Sequence, residues 1–125
     1  MSDKKARVET YFEGFRRSDH AMILVLLSED VRWDMPGFKH VAGKAAFDAE
    51  IENPEFSGSP ILTIDRLIEE GDTVVAIGEV VANPKARPPV RLAYCDVFTF
   101  TRELISRVES YLVPLNESQN VDPAG

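Results

Sequence analysis

One acidic residue lies inside an apolar row of a predicted strand. In segment 90–100, every second residue falls on one face of an extended chain, and there Asp96 alternates with Val90, Leu92, Tyr94, Phe98 and Phe100. Burying an ionised carboxylate without a partner costs several kcal/mol, so such a group finds a hydrogen-bond donor or takes up a proton. Asp96 is therefore a candidate site residue. The alternative is a bulge that turns it outward, or a nearby N–H group or arginine that satisfies it.

Tyr11 is the second candidate. Residues 3–17 place apolar side chains at helical spacing, which predicts an amphipathic helix whose buried face carries Val8, Tyr11, Phe12 and Phe15. A core-facing tyrosine alone is usually packing. Together with Asp96, however, it could give one oxygen atom two hydrogen-bond donors, if helix and sheet meet across a cavity.

The chain lacks the sequence motifs of phosphate binding, of nucleophilic hydrolysis and of metal binding. The chain has no glycine-rich phosphate turn and no Gly-x-Ser-x-Gly nucleophile elbow. Its two histidines, His20 and His40, lie apart and have no metal-binding neighbours at the usual spacing, so we expect no metal and no organic cofactor. Cys95 precedes a carboxylate and is predicted to be a buried structural thiol.

Three helices precede a block of strands. Helices are predicted over residues 3–17, 21–27 and from Gly43 to a stop at Asn53-Pro54, and strands over 31–37, 61–69, 73–82, 90–101 and 104–115. A loop through Phe38 and His40 follows the first strand. Short links favour an antiparallel meander for the last four strands. This order predicts one α+β domain over residues 1–115, with helices packed on one face of a curved antiparallel sheet, and a flexible tail over 116–125.

The composition of the chain argues against several classes of binding partner. The 125 residues include 14 Lys and Arg and 21 Asp and Glu, a net charge of −7, which argues against binding to nucleic acid or anionic membranes. The longest apolar run, Ala21 to Leu27, is far shorter than the roughly 20 residues of a membrane-spanning helix. A single cysteine and the lack of an apolar signal region favour the cytoplasm.

Several segments, in this order and spacing, resemble the nuclear transport factor 2-like superfamily, which includes ketosteroid isomerases and SnoaL-like polyketide cyclases. They are Tyr11-Phe12-Glu13-Gly14-Phe15, Ser18-Asp19-His20, Leu27–Trp33 running into Pro36-Gly37, Gly43–Phe47, Cys95–Phe100 and Ile105–Tyr111. The resemblance covers roughly residues 5 to 115. It implies three N-terminal helices on a sheet wrapped into a cone (a cystatin-like roll) with an internal pocket, commonly in a homodimer.

The resemblance also implies roles. Tyr11 matches the oxyanion-hole tyrosine of the isomerases, and Asp96 matches the aspartic acid that an apolar site keeps protonated. The isomerase general-base position falls on Met35, whose thioether cannot carry a proton. Asp34, one residue away, is predicted to point outward with Arg32. His40 is the first candidate for the base, since it follows near the expected pocket mouth.

The leading hypothesis is a cofactor-independent enzyme of the isomerase or cyclase type, acting on a small apolar molecule that bears a carbonyl group. The residues predicted to line its pocket are Trp33, Met35, Tyr94, Phe98 and Tyr111. Glu109, expected in an ion-paired ladder with Arg107, and Glu79 are the remaining acids. The alternatives are a module that binds a hydrophobic ligand or dimerises without catalysis, and a protein-interaction domain with a filled core.

Overall fold

The computed structural model describes residues 3–52 and 58–115. Two helices, α1 (Asp3–Arg17) and α2 (His20–Leu24), precede the first strand, and a third, α3 (Lys44–Ile51), follows the second strand. The strands are β1 (Leu27–Met35), β2 (Lys39–Ala42), β3 (Ile61–Glu70), β4 (Thr73–Ala82), β5 (Val90–Thr101) and β6 (Leu104–Pro114). The predicted α+β class is confirmed. The predicted tail over 116–125 and the helix stop at Asn53-Pro54 lie outside the described residues.

All six of these strands form one curved, unclosed sheet in the order β2-β1-β6-β5-β4-β3. The meander from β3 to β6 is antiparallel, as predicted. The sheet is not antiparallel throughout, because β1 pairs with β6 in parallel, with Trp33 opposite Val108. A parallel pair needs a long crossover connection, and the whole segment between β1 and β6 provides it.

The second helix is shorter than its apolar run. Asp19 caps it by accepting a hydrogen bond from the Met22 N–H at 3.0 Å, and it ends at Leu24 instead of Leu27. The carbonyl of Leu26 accepts a hydrogen bond from the N–H of Ile105 in β6 at 2.9 Å. Leu27 therefore begins β1, because backbone N–H and C=O groups that would form hydrogen bonds within a longer helix form them with the sheet instead.

The predicted loop after the first strand forms β2. The chain reverses through Gly37, whose φ of +85° suits glycine, and residues 39–42 pair with β1. His40 lies opposite Asp34 in this hairpin. The position of His40 is thus fixed by strand pairing.

The core lies between the helices and the inner face of the sheet. Tyr11 contacts the rings of Phe12, Phe15, Phe47 and Phe98, with centroids 5.0–6.3 Å apart. Trp33 stacks on Phe47 at 4.7 Å. This aromatic cluster joins α1 and α3 to β1 and β5.

No helix among the described residues is long and apolar enough to cross a membrane.

Candidate active site

An inner cavity of about 160 Å³ lies between α1 and the sheet. Its lining includes Tyr11, Trp33, Met35, Tyr94, Asp96 and Ser110. Four of these residues, Tyr11, Trp33, Met35 and Tyr94, contribute mostly apolar surface. Asp96 is the only described residue of the lining that carries a carboxyl group. The structure therefore brings the two principal candidates, Tyr11 and Asp96, to one cavity.

Asp96 points inward from the middle of β5 and is 8% exposed. Burial raises the pKa of its carboxyl group to about 7, although a hydrogen bond from Ser110 opposes the rise. Its Oδ1 atom is buried and has no hydrogen-bond partner among the described residues. Near neutral pH a large share of the carboxyl groups is protonated, so that Asp96 can act as a hydrogen-bond donor.

Tyr11 is 1% exposed on the inner face of α1. Burial raises the pKa of its hydroxyl group well above the usual value, and the negative charge of Asp96 raises it further. The hydroxyl therefore keeps its proton. Tyr11 and Asp96 line the same cavity, which agrees with this influence of one group on the other.

Tyr94 forms part of the cavity wall. Its hydroxyl donates a hydrogen bond to the carbonyl of Thr63 at 2.7 Å. Burial is the largest cause that raises the pKa of this hydroxyl, and the negative charge of Asp96 is the second. The side chain reaches Thr63 by passing over Gly78, the residue opposite Tyr94 in β4. Its donor proton is thus already used inside the protein.

Ser110 is a site residue that the sequence analysis missed. It lies opposite Asp96 in β6, is 4% exposed, and accepts a hydrogen bond from the indole N–H of Trp33 at 2.9 Å. The signal was the alternation of Val108, Ser110 and Leu112, which places the serine in an inward row. A small hydroxyl next to a buried carboxyl group is thus part of the site.

Tyr111 was predicted to line the pocket, and this is wrong. It is 43% exposed on the outer face of the sheet, where its hydroxyl donates to Glu109 at 2.9 Å. Because neighbouring residues of a strand point to opposite faces, Ser110 inside requires Tyr111 outside. Phe98 is also not in the lining of the inner cavity, because it packs within the core against Tyr11 and Phe12.

His40 was predicted to lie near the pocket mouth, and the structure places it elsewhere. Its Nδ1 atom lies 2.8 Å from Oδ1 of Asp34, its cross-strand partner. Since Trp33 points into the cavity, Asp34 and His40 point away from it. His40 is therefore not brought together with Tyr11 and Asp96.

The outward Asp34 is buried, contrary to the predicted solvated face. Its carboxylate also contacts Arg107 Nε at 2.8 Å and Arg32 at 3.3 Å. The hydrogen bonds from His40 and then Arg107 are the largest effects that lower its pKa. These partners shield the carboxylate from water while keeping it ionised.

Two further acids are paired. Glu109 lies 3.5 Å from Arg107, which confirms the predicted ladder, and Glu79 lies 2.8 Å from Arg91. Cys95 is half-buried, and burial, followed by the charge of Asp96, raises its thiol pKa. Among the described residues, no three His, Cys, Asp or Glu side chains gather so as to hold a metal ion.

An outer cavity of about 510 Å³ adjoins the inner one. Both are lined by Phe15, Met35, Pro60 and Leu112, so these four side chains stand between them. The outer cavity also has polar lining, including Lys39 and Glu50, which form an ion pair with Nζ–Oε distances of 2.9 and 3.0 Å. The combined space is apolar inside and more polar outside.

Comparison with known proteins agrees with this fold. Residues 8–108 match the family model of the SnoaL-like domain. The chain belongs to the SnoaL-like domain family. No curated protein matches this SnoaL-like chain at a significant level.

Solved structures similar to this SnoaL-like domain include an NTF2-like protein of unknown function from Burkholderia pseudomallei, with 24% identity, a TM-score of 0.83, and 90% and 92% of the two chains covered. A candidate ketosteroid isomerase from Kribbella flavida shares 23% identity, with a TM-score of 0.71 and coverage of 96% and 88%. A candidate polyketide cyclase from Xanthomonas campestris shares 22% identity, with a TM-score of 0.76 and coverage of 95% and 94%. At these identities the likeness concerns the fold.

Proposed function

We propose that this protein is a cofactor-independent isomerase or cyclase that acts on a small apolar molecule bearing a carbonyl group. One observation carries the proposal: Asp96 is buried beside Tyr11 in an apolar cavity, with a carboxyl oxygen that has no partner among the described residues. An unsatisfied buried carboxylate oxygen is costly in a folded protein, and this cost favours the neutral, protonated carboxyl group, which is a hydrogen-bond donor.

The chemistry follows from two hydrogen-bond donors that line one cavity. When a proton leaves the carbon next to a carbonyl group, negative charge develops on the carbonyl oxygen. The hydroxyl of Tyr11 and the protonated carboxyl of Asp96 stabilise that charge in a site of low polarity, where such hydrogen bonds are strong. A pKa near 7 also suits Asp96 for proton transfer at neutral pH.

Cavity size supports a ring-sized reacting group. The inner cavity of about 160 Å³ is comparable with cavities of about 150 Å³ that hold benzene. A larger substrate would extend past Met35 and Leu112 into the outer cavity. The reacting carbonyl would then lie at the inner end.

A non-catalytic ligand-binding module is the second candidate. Among the described residues of the inner lining, none besides Asp96 carries a carboxyl or imidazole group. By the family resemblance, the position of the isomerase base falls on Met35. The lining thus offers donors without a separate proton acceptor. Binding without turnover would need only those donors.

Binding of 4-nitrophenol tests the donor pair, because its ring fits the inner cavity and its colour reports ionisation. We expect it to bind as the phenolate in mildly acidic solution, and Tyr11→Phe and Asp96→Ala each to weaken binding roughly 10-fold or more, since a hydrogen bond to a charged group contributes about 1.5–3 kcal/mol. His40→Gln is the control and should bind like the wild type. Unchanged binding in both Tyr11→Phe and Asp96→Ala would contradict the proposal.

Conversion of 3-cyclohexenone to its conjugated isomer separates the two candidate functions. An isomerase is expected to speed the appearance of the conjugated ketone, followed by its ultraviolet absorbance, and to lose this activity in Asp96→Ala. If 4-nitrophenol binds through Tyr11 and Asp96 but no ketone of this class is converted, the binding module is the better description.

We also propose a homodimer, in line with the family resemblance. Tyr111 and Val113 are 43% and 59% exposed on the outer face of the sheet, and exposed apolar side chains on one face are typical of protein contacts. Light scattering is expected to give twice the monomer mass, and Val113→Glu to lower it to the monomer mass. A monomeric wild-type protein would contradict this.

A cytoplasmic location stays a prediction, supported by the single cysteine.

A further inference from the structure

Lys39 and Glu50 form an ion pair in the lining of the outer cavity. Lys39 is the first residue of β2, and Glu50 lies in the last turn of α3. The Nζ atom of Lys39 lies 3.0 and 2.9 Å from the two carboxylate oxygens of Glu50. Both residues line the outer cavity of about 510 Å³, so the pair brings a hydrogen-bond donor and an acceptor to the same space.

The pairing of β2 with β1 fixes where this ion pair lies relative to the inner cavity. Lys39 is directly opposite Met35 in the hairpin. Directly opposite residues of an antiparallel pair point to the same face of the sheet, with Cβ atoms about 4.5–5.5 Å apart. Met35 lines both cavities, whereas Lys39 lines the outer one and not the inner one. A molecule that extends from the inner cavity past Met35 therefore comes next to Lys39.

The boundary between the two cavities is apolar. It consists of Phe15, Met35, Pro60 and Leu112, which line both spaces. A polar group of a ligand at this boundary would lose its hydration without gaining a partner from these side chains, which is costly. The middle of a bound molecule is therefore expected to be apolar, with any polar end group beyond it.

The ion pair retains hydrogen-bonding capacity. A lysine ammonium group has three N–H donors, and the contacts of Lys39 with the two oxygens of Glu50 use at most two of them. Each carboxylate oxygen can also accept more than one hydrogen bond. A hydroxyl group can accept from Lys39 and donate to Glu50 at the same time. The pair thus fits a group that is both donor and acceptor.

The charges on the lining favour a neutral end group. Among its described residues, the outer cavity has one cationic side chain, Lys39, and two carboxylates, Glu50 and Glu52. Glu52 is already paired with Nε2 of His20, at 2.5 Å. A carboxylate on the ligand would be repelled by Glu50 and would compete with it for Lys39, and an ammonium group would likewise compete with Lys39 for Glu50. A hydroxyl group can bind without breaking the ion pair.

We propose that Lys39 and Glu50 form a specificity subsite that binds a hydroxyl group at the far end of the substrate. The substrate class is then a neutral, elongated apolar carbonyl compound whose carbonyl group lies in the inner cavity and whose hydroxyl group lies beside the ion pair. The position of the carbonyl group rests on the proposed function. The hydroxyl subsite depends only on the ion pair and on its place next to Met35.

Two ligands of equal length test the subsite. The first is 4-pentylacetophenone, whose flexible chain ends in a methyl group, and the second is 4-(4-hydroxybutyl)acetophenone, in which a hydroxyl group replaces that methyl group. Calorimetry measures the Kd of both. Burying a hydroxyl group without a partner is costly, so an apolar cavity would bind the second ligand more weakly. We expect the wild-type protein to bind it at least as tightly as the first.

The double variant Lys39→Met, Glu50→Met removes the donor and the acceptor together and leaves no unpaired charge. We expect it to bind the hydroxyl ligand roughly 10-fold more weakly than the wild type does, which corresponds to about 1.4 kcal/mol. The methyl ligand should lose no affinity. The matched control is Lys44→Met, Glu29→Met, because this ion pair of 3.6 Å joins α3 to β1 outside the lining of the outer cavity. It should bind both ligands like the wild type.

A ligand with a terminal carboxylate, 4-(3-carboxypropyl)acetophenone, tests the preference for a neutral group. The wild-type protein is expected to bind it the most weakly of the three ligands. Glu50→Gln removes the competing carboxylate and frees Lys39, so this variant should bind it about 5-fold more tightly, the effect of one hydrogen bond of about 1 kcal/mol.

Three results would overturn the inference: no binding of either uncharged ligand, an unchanged affinity for the hydroxyl ligand in the double variant, or tightest binding of the carboxylate ligand by the wild type. Failure of the proposed function is a separate result. Tyr11→Phe and Asp96→Ala would then both bind 4-nitrophenol like the wild type, while the hydroxyl ligand would still lose affinity in the double variant of the ion pair.

Discussion

Asp96→Asn is expected to make the protein more stable than the wild type above about pH 7, by up to roughly 4 kcal/mol, the free energy that corresponds to a rise from the usual carboxyl pKa to about 7. In the folded protein Asp96 holds its proton more tightly than in the unfolded chain. Its contribution is therefore complete below about pH 4 and is lost as the pH rises through 7. An amide cannot ionise and suffers no such loss.

Urea unfolding of both proteins between about pH 4 and pH 9 measures this effect. The quantity of interest is how the difference in unfolding free energy between variant and wild type changes with pH. Any fixed cost of burying an amide is the same at every pH and does not affect this change. Glu109→Gln, on the outer face of the neighbouring strand, is the control and should lack this alkaline gain. A difference that does not change with pH would show that Asp96 titrates normally.

Gly78→Ala is expected to destabilise the fold by about 3 kcal/mol or more. A Cβ atom at this position would lie 2.0 Å from the carbonyl oxygen of Thr63 and 2.7 Å from the hydroxyl of Tyr94. Both contacts are far too short, and the backbone oxygen cannot move without disturbing β3. Tyr94 would also be displaced from the cavity wall.

Thermal unfolding followed by circular dichroism measures the loss. Glu79→Ala, the next residue in β4, is the control, since it removes only an exposed ion pair with Arg91 and should cost at most about 1 kcal/mol. The close packing of Tyr94 against Gly78 would be refuted if Gly78→Ala unfolded at the same temperature as the wild type.

Local periodicity was enough to find the principal pair. The alternation in β5 placed Asp96 among apolar residues, and the helical spacing in α1 placed Tyr11 on the core face. Both patterns repeat over two or more turns or pleats, so that a small error in the ends of an element does not change the face. The family resemblance then placed the two elements against each other.

Features that depend on pairing between distant strands were not predictable in this way. The parallel pairing of β1 with β6 joins segments more than 70 residues apart, as Trp33 and Val108 illustrate. In β6, Ser110 and Tyr111 compete for the inward position, and the aromatic residue was the natural choice from composition alone. Register against β5 reverses that choice. His40 was misplaced because β2 has too few residues for a clear strand pattern.

The outer network around Asp34 has a consequence for acid tolerance. Asp34 has a lowered pKa, so its stabilising contribution is present above about pH 4 and disappears as the pH falls through its folded value. Asp96, on the opposite face of the same sheet, has the reverse dependence. The two aspartates thus limit stability from opposite directions: the outer one contributes to the loss of stability in acid, and the inner one to the loss at alkaline pH.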